Sequence, residues 1–149
     1  MADPTHKPRG AFRSRLETLE AMAFLVAARI LIGCIRFARW RHLLGAVSTG
    51  RITTSPAWID RYLARVVDRA ASHLPFECLC LPRAMALHWM LHRRGRGSEL
   101  IFAALPDSHR GNSDDLHAWV ERGGEMLIGQ TAQPHQTVVR FGFSDSVAD

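Results

Sequence analysis

The spacing of apolar residues changes once along this 149-residue chain, at the glycines Gly95 and Gly97. Before them, apolar side chains recur at steps of three and four residues, which is the spacing of one face of an α-helix. After them come short apolar stretches separated by turn-forming residues, the pattern of β-strands. Helices followed by an antiparallel sheet predict an α+β domain.

Three helices are predicted in the first part of the chain. The first covers residues 13–42, on the helical spacing of Leu16, Leu19, Met22, Ala23, Val26, Ile30 and Leu31. The second covers residues 55–73, because Ser55 can act as N-cap and Pro56 loses no hydrogen bond at the first helical position. The third ends at about Arg94, before the two glycines.

Four strands are predicted in the second part, with a tight turn at Gly123 and Gly124 joining the second to the third. They cover residues 100–105, 116–121, 125–129 and 137–143. The composition of residues 1–12 predicts a disordered N-terminus, and residues 145–149 are predicted to fray. The sequence therefore predicts one domain over residues 13–144, a length that suits a single hydrophobic core.

The charge balance does not indicate a nucleic-acid partner. The chain has 19 basic and 14 acidic residues, a net charge of +5 and a pI near 10.0. Of the basic residues 18 are Arg, and they are spread along the chain, with a cluster only at Arg93, Arg94 and Arg96. Nucleic-acid-binding proteins usually concentrate their basic residues on one face. We therefore expect a solvated surface and no nucleic-acid partner.

Nothing in the sequence predicts a membrane span. The most apolar stretch, residues 21–35, is interrupted by Arg29 and is shorter than the roughly 20 residues that cross a bilayer. The three cysteines cannot all pair, which favours a reducing compartment, and we expect a cytoplasmic protein. The wide apolar face of the first helix leaves contact with the core, a partner or a membrane surface open.

Cys80 is the candidate nucleophile. It lies just before the third helix, whose first turn contains Pro82, and there the helix dipole and unpaired amide groups favour a thiolate and an oxyanion. A buried structural cysteine is the alternative interpretation.

His117 is the candidate general base, because it opens a strand directly after a polar loop. If Arg122 pairs with Glu125 across the glycine turn, stepping back along the ladder places His117 opposite Gln130. A thiolate that attacks, an imidazole that shuttles the proton and an amide that orients the ring would form a papain-like arrangement.

A zinc site is an alternative use of the same region. Cys78, Cys80, His88 and His92 supply two thiols and two imidazoles. The C-x-C spacing is one residue tighter than that of zinc knuckles, so no metal and no cofactor is expected. His88 and His92 are then predicted to lie at the surface or to contact a partner.

Three runs of the sequence together resemble one family. They are CLPRAMAL at residues 80–87, LHRRG at 91–95 and HAWVE at 117–121. Over about residues 15–130 the chain resembles the transglutaminase-like cysteine peptidases of lasso peptide biosynthesis. The resemblance implies a papain-like or transglutaminase-like fold that removes the leader from a ribosomally made lasso precursor peptide.

The resemblance also implies partners. Such peptidases act with a separate leader-recognition protein and with an ATP-dependent cyclase that closes the lasso ring. Some members carry the leader-binding module at their own N-terminus, and this chain is expected to need that module in trans.

The resemblance assigns Cys80 as nucleophile and His117 as base, with Leu81, Arg83 and Trp119 near the substrate or the oxyanion. The family places an acid on the strand after the histidine, whereas this chain has none between Leu127 and Thr131. Gln130 is the candidate replacement, and a more distant acid such as Asp145 is the alternative. A neutral orienter stabilises an imidazolium less than a carboxylate does, so weaker or partner-dependent activity is expected.

Two other functions stay open on the same residues. The missing acid is compatible with a non-catalytic peptide-binding scaffold. A thioester at Cys80 can also pass to an amine instead of water, which would make the protein an acyl-transfer enzyme.

Overall fold

The computed structural model describes residues 10–48, 52–104, 116–130 and 135–146, and the predicted disorder of residues 1–9 lies outside them. Within these ranges the helices precede the sheet, apart from one short strand, so the predicted α+β class is confirmed. The helical elements are α1 (Ala11–Cys34), α2 (Phe37–Trp40), a 3₁₀ turn (Arg41–Leu44), α3 (Trp58–Ser72) and α4 (Cys80–His92).

The predicted single helix over residues 13–42 is wrong in its last eight residues. Helix α1 ends at Cys34, and Ile35 is extended, with φ −126° and ψ 135°. The break lets Trp40 turn into the core, where it is 4% exposed and its indole N–H donates to the Ile35 carbonyl at 3.0 Å. Burial of this indole outweighs the helical preference of the sequence.

The predicted start of the second helix is also wrong. Helix α3 begins at Trp58, with Ala57 in the N-cap position. The Ala57 amide donates to the Asp60 carboxylate at 2.7 Å, so Asp60 satisfies an end group that Ser55 was predicted to satisfy. Asp60 is fully buried and forms ion pairs described below, which explains why the helix starts where Asp60 can reach back.

All four predicted strands are present, and a fifth, short strand that was not predicted precedes α3. The strands of the described sheet are β1 (Ala46–Val47), β2 (Ser98–Ala104), β3 (Leu116–Arg122), β4 (Glu125–Ile128) and β5 (Gln136–Phe143). Their order is β1-β5-β2-β3-β4, and every neighbouring pair is antiparallel. The short β1 pairs with the end of β5.

The helices cover one face of the sheet and form the main core with it. Helix α4 lies at the centre of this core, because Met85, Leu87, Met90 and Leu91 are all fully buried. The other face of the sheet carries a smaller cluster of Ile101, Ala103 and Trp119, with Met126 packed against it. Alternation along each strand thus divides the sheet residues between two apolar layers.

A buried ion network joins the start of α3 to the far ends of the sheet. The Asp60 carboxylate accepts hydrogen bonds from Nε and Nη2 of Arg96, and the bond from Nη2 is 2.7 Å long. The same carboxylate lies 3.4 Å from Nε of Arg122. Arg122, only 3% exposed, donates to Asp145 at 2.7 Å. Two arginines and two aspartates balance each other, as burial of charge requires.

Asp145, the first residue of the tail that is predicted to fray, takes part in this network. It also accepts from the Gly97 amide at 2.8 Å and from Thr54 at 3.1 Å. Burial acts to raise the pKa of Asp145, but the hydrogen bonds from Arg122, Gly97 and Thr54 bring it below its usual value. Residues 147–149 lie outside the described part of the chain.

No helix in the described ranges has both the length and the apolar content needed to cross a membrane.

His88 is buried in the core, which corrects its predicted surface position. It is fully buried, with Nδ1 2.7 Å from the Ser98 hydroxyl and Nε2 2.9 Å from the Leu44 carbonyl. A carbonyl only accepts, so Nε2 carries the hydrogen and Nδ1 accepts from Ser98. Burial lowers the pKa of His88 from 6.5 to about 4, against the opposing effect of the Leu44 hydrogen bond.

We predict a pH dependence of stability from His88. Because its pKa is lower in the folded state than in the unfolded state, its contribution is complete above pH 6.5 and is lost as pH falls towards 4. The loss is on the order of 3 kcal/mol in the free energy of unfolding. Urea titrations at several pH values between 7 and 4 give the free energy of unfolding at each pH. This free energy should fall less steeply with decreasing pH in His88→Gln than in the wild type. An identical slope in both proteins would contradict the assignment.

Candidate active site

Cys80 is the first residue of α4, one position inside the helix that it was predicted to precede, and Leu79 is the N-cap residue. No side chain caps this helix end, and Pro82 in the first turn has no amide hydrogen to satisfy. The amides of Cys80 and Leu81 are therefore the end groups that point out of the helix beside the thiol. This is the setting that stabilises a negatively charged sulfur or oxygen.

Arg83 fixes the turn that leads into α4. Its Nε donates to the Cys78 carbonyl at 2.8 Å, and its Nη1 lies 3.2 Å from the Asp68 carboxylate on α3. Both side chains of this ion pair are more than a third exposed, so the pair itself adds little stability. Arg83 thus holds the backbone before Cys80 and leaves one side of its guanidinium in the cavity described next.

The Cys80 side chain opens on a cavity of about 280 Å³. Its lining combines the α4 start with the end of β4: Asp68, Cys78, Leu79, Cys80, Arg83, Ile128, Gly129 and Gln130. Among the predicted substrate-side residues, Arg83 lines this cavity, whereas the Leu81 side chain packs against the main core. Leu81 can therefore act there through its backbone amide.

The other two cysteines are in settings unlike that of Cys80. Cys34 is exposed at the end of α1, away from the cavity. Cys78 borders the cavity but is buried, and burial raises the pKa of its thiol, although Arg83 and Arg29 act in the opposite direction. Cys80 alone among the three combines partial exposure with the first position of a helix.

His117 is the second residue of β3 and is hydrogen-bonded to Gly129, which lines the same cavity. Its Nε2 lies 2.6 Å from the carbonyl oxygen of Gly129. Because a carbonyl only accepts, Nε2 carries the hydrogen, and the lone pair of the neutral ring is on Nδ1. Gly129 thus borders the Cys80 cavity and accepts a hydrogen bond from His117, and among the described residues no hydrogen bond joins the thiol to the imidazole.

The predicted pairing of His117 with Gln130 is wrong. Arg122 does pair with Glu125, but the register shifts between Val120 and Glu121, so that Leu127 is an additional residue on β4. The bulge moves every later residue of β4 by one position along β3. The Gln130 side chain donates to the Met126 carbonyl at 3.3 Å and is exposed. The group that holds the His117 ring is the Gly129 backbone carbonyl instead.

Trp119 is not beside the Cys80 cavity. It belongs to the smaller apolar cluster on the face away from the helices, and its indole donates to Glu121 at 2.8 Å. Its ring centre is 6.0 Å from that of His117, so it packs near the imidazole. Alternation along β3 puts His117 on this same face.

His135 is a neighbour of the site that the sequence did not suggest. Its ring centre lies 5.1 Å from that of His117. It comes just before β5, which is not adjacent to β3 in the sheet, so no pairing argument on the sequence could have brought the two rings together.

Asp145 does not replace the missing acid. It binds Arg122, the last residue of β3, whereas His117 is the second residue of that strand. Arg122 is five positions after His117 on this strand, a distance of about 16 Å at the usual rise per residue.

The zinc interpretation is not supported by the geometry. His88 is occupied by Ser98 and Leu44 inside the core, while His92 is exposed and stacks on Phe143 at 3.7 Å between ring centres. Across the described part of the chain no three Cys, His, Asp or Glu side chains are grouped so that they could hold a metal ion.

The comparison with protein families agrees with this fold. Residues 22–140 match the Transglutaminase-like superfamily, so the chain belongs to that superfamily. Membership indicates an enzyme with cysteine-dependent chemistry, of the protease or acyltransferase type. No curated protein and no solved structure matches the chain significantly.

We predict that Gly129 controls the tautomer of His117. Gly129 has φ +85°, and a Cβ added there would lie 2.7 Å from the Ala118 carbonyl oxygen and 2.9 Å from Cβ of Trp119. Gly129→Ala must therefore shift the carbonyl that holds Nε2–H. In ¹⁵N NMR spectra at neutral pH, His117 should be the Nε2–H tautomer in the wild type and a mixture in Gly129→Ala.

Gly124→Ala is the matched control for this experiment. Gly124 also has a positive φ, +79°, but a Cβ there meets no atom within 4 Å. This variant should keep the wild-type His117 spectrum. If Gly129→Ala keeps it too, the Gly129 carbonyl does not hold the ring.

Proposed function

We propose that this protein is a cysteine peptidase that removes the leader from a ribosomally synthesised lasso precursor peptide. The observation that carries the proposal is the position of Cys80, at the start of α4 and on a cavity whose wall is bonded to His117. Superfamily membership and the sequence runs around Cys80 and His117 support it.

In the proposed first step His117 accepts the proton of the Cys80 thiol, and the resulting thiolate attacks the carbonyl carbon of the scissile amide and forms a C–S bond. The amides of Cys80 and Leu81 stabilise the resulting oxyanion. The amide nitrogen then takes a proton from the His117 imidazolium, the C–N bond breaks, and the core peptide leaves with a free amine.

In the second step water hydrolyses the thioester that links the leader to Cys80. His117 accepts a proton from the water as its oxygen bonds to the carbonyl carbon. The C–S bond breaks, the leader leaves as a carboxylate, and the thiolate is restored. Because Nε2 is held by Gly129, Nδ1 is the ring atom that moves the protons.

Proton transfer requires the His117 ring and the thiol to meet, whereas in this structure the ring is hydrogen-bonded to Gly129 and not to the thiol. The proposal therefore includes a movement of the imidazole or of residues 129–130 when the substrate enters the cavity, since catalytic hydrogen bonds often tighten only in the complex. This supports dependence on the partners, a separate leader-recognition protein and an ATP-dependent lasso cyclase, in the cytoplasm.

A non-catalytic peptide-binding scaffold is the second candidate function. The observation that favours it is that Nε2 of His117 is bonded to a backbone carbonyl, with no carboxylate among its described partners. Such a protein would bind the precursor equally well with cysteine or with alanine at position 80.

We predict that Cys80→Ala abolishes cleavage of a precursor peptide in the presence of the leader-recognition protein, and that His117→Ala slows it at least about a hundredfold. Cys34→Ala, which removes an exposed cysteine away from the cavity, should cleave like the wild type. Mass spectrometry of the products gives the rate and the reaction type, because hydrolysis adds the mass of water and aminolysis does not.

Two outcomes would contradict the peptidase. Full cleavage by Cys80→Ala would remove the nucleophile assignment. Precursor binding by the wild type without cleavage, in the presence of both partners, would favour the scaffold.

A further inference from the structure

Helix α1 has a second apolar face that the domain does not cover. Its covered face contributes Ala21, Leu25 and Ala28, each fully buried, to the main core. The opposite face exposes a row of apolar side chains, which we call the α1 stripe: Phe12, Leu16, Leu19, Ala23, Val26 and Ile30. Phe12 is 75%, Leu19 60% and Ile30 53% exposed.

The α1 stripe has the spacing of a coiled-coil seam. Its members follow one another at steps of four, three, four, three and four residues, which is the alternation of a and d positions in a heptad repeat. From Phe12 to Ile30 the row is about 27 Å long at the usual helical rise. A seam that contains only a and d positions is narrow and fits another helix, whereas a helix that lies on a membrane has a broader apolar face.

One edge of the α1 stripe is positively charged. Arg15 and Arg29, both exposed, flank it at equivalent heptad positions. The carboxylates of α1 are engaged elsewhere, since Glu17 is 4% exposed and Glu20 is bound by Arg93 and Arg94. The edge is therefore complementary to acidic side chains.

The other edge of the α1 stripe continues into an apolar groove. The groove has a volume of about 580 Å³ and includes Phe24, Ala27, Leu31 and Trp89 in its lining. A large apolar side chain of a docked helix fits such a recess, which is how anchor residues act at interfaces.

A second copy of this chain fits the surface less well. Antiparallel pairing that sets Leu16 opposite Val26 of the other copy would bring Arg15 against Arg29 of that copy. In parallel pairing, Glu20 of one copy would have to form an ion pair with Arg15 of the other. Glu20 is already bound by Arg93 and Arg94 of its own chain.

We propose that the α1 stripe binds an amphipathic helix of a partner protein, with apolar a and d positions and acidic residues facing Arg15 and Arg29. No residue of the stripe lines the Cys80 cavity, so binding at the stripe can be tested without the proposed peptidase activity.

The test uses two synthetic three-heptad peptides with Leu at a and d, one with Glu and one with Lys at the flanking positions. Mutual repulsion of the flanking charges keeps each peptide from pairing with itself. Isothermal titration with the full chain should show binding of the Glu peptide and at least about tenfold weaker binding of the Lys peptide.

Variants locate the binding surface and its charge. Leu16→Ser with Leu19→Ser should weaken binding of the Glu peptide at least about tenfold. The matched control is Val138→Ser on β5, which removes an equally exposed apolar side chain (68%) outside the stripe and should bind normally. Arg15→Glu with Arg29→Glu should reverse the preference to the Lys peptide. Because these side chains are exposed, circular dichroism should show unchanged folding.

Four results would overturn the proposal. The first is the absence of binding to the Glu peptide, and the second is equal affinity for the two peptides. The third is binding only to phosphatidylglycerol vesicles, which would make the stripe a membrane-binding surface. The fourth is a dimer in analytical ultracentrifugation that Leu19→Ser dissociates, which would make the occupant a second copy.

Discussion

The buried carboxylate of Asp60 ties together the elements on which the rest of the structure depends. It caps α3 through the Ala57 amide and binds Arg96 and Arg122. Arg96 follows the end of α4, and Arg122 is the last residue of β3. Removing one member would leave a buried guanidinium or carboxylate without its partner, which costs several kcal/mol. The network thus fixes α4 and β3 at the ends away from Cys80 and His117, which lie at the starts of those elements.

Much of this architecture was predictable from local sequence signals. The helical and strand periodicities predicted the α+β class, a helix that begins next to Cys80 and the Arg122–Glu125 turn. What could not be predicted depends on tertiary contacts. The bulge at Leu127 has no local signal strong enough to place it, and it moved Gln130 away from His117. His88 looked like a surface residue because its partners are distant in sequence.

In the proposed mechanism the thiol and the imidazole must come together, which is a step that a partner could control. Gly129, which borders the Cys80 cavity and accepts from His117, directly follows β4 at the edge of the described sheet. Helix α1, which carries the exposed stripe, packs directly on α4 through the main core. A helix docked on the stripe would therefore bear on the element that begins with Cys80, and would link assembly to the proposed chemistry.

The most direct test of the central claim is to trap the covalent intermediate. The wild-type chain, its leader-recognition protein and precursor peptide would be mixed, quenched in acid during the first turnovers, and digested for tandem mass spectrometry. The proposed mechanism predicts the leader attached as a thioester to the sulfur of Cys80, with fragment ions that separate Cys80 from Cys78. Cleaved leader in the same sample, with the adduct on another cysteine or on none, would contradict it.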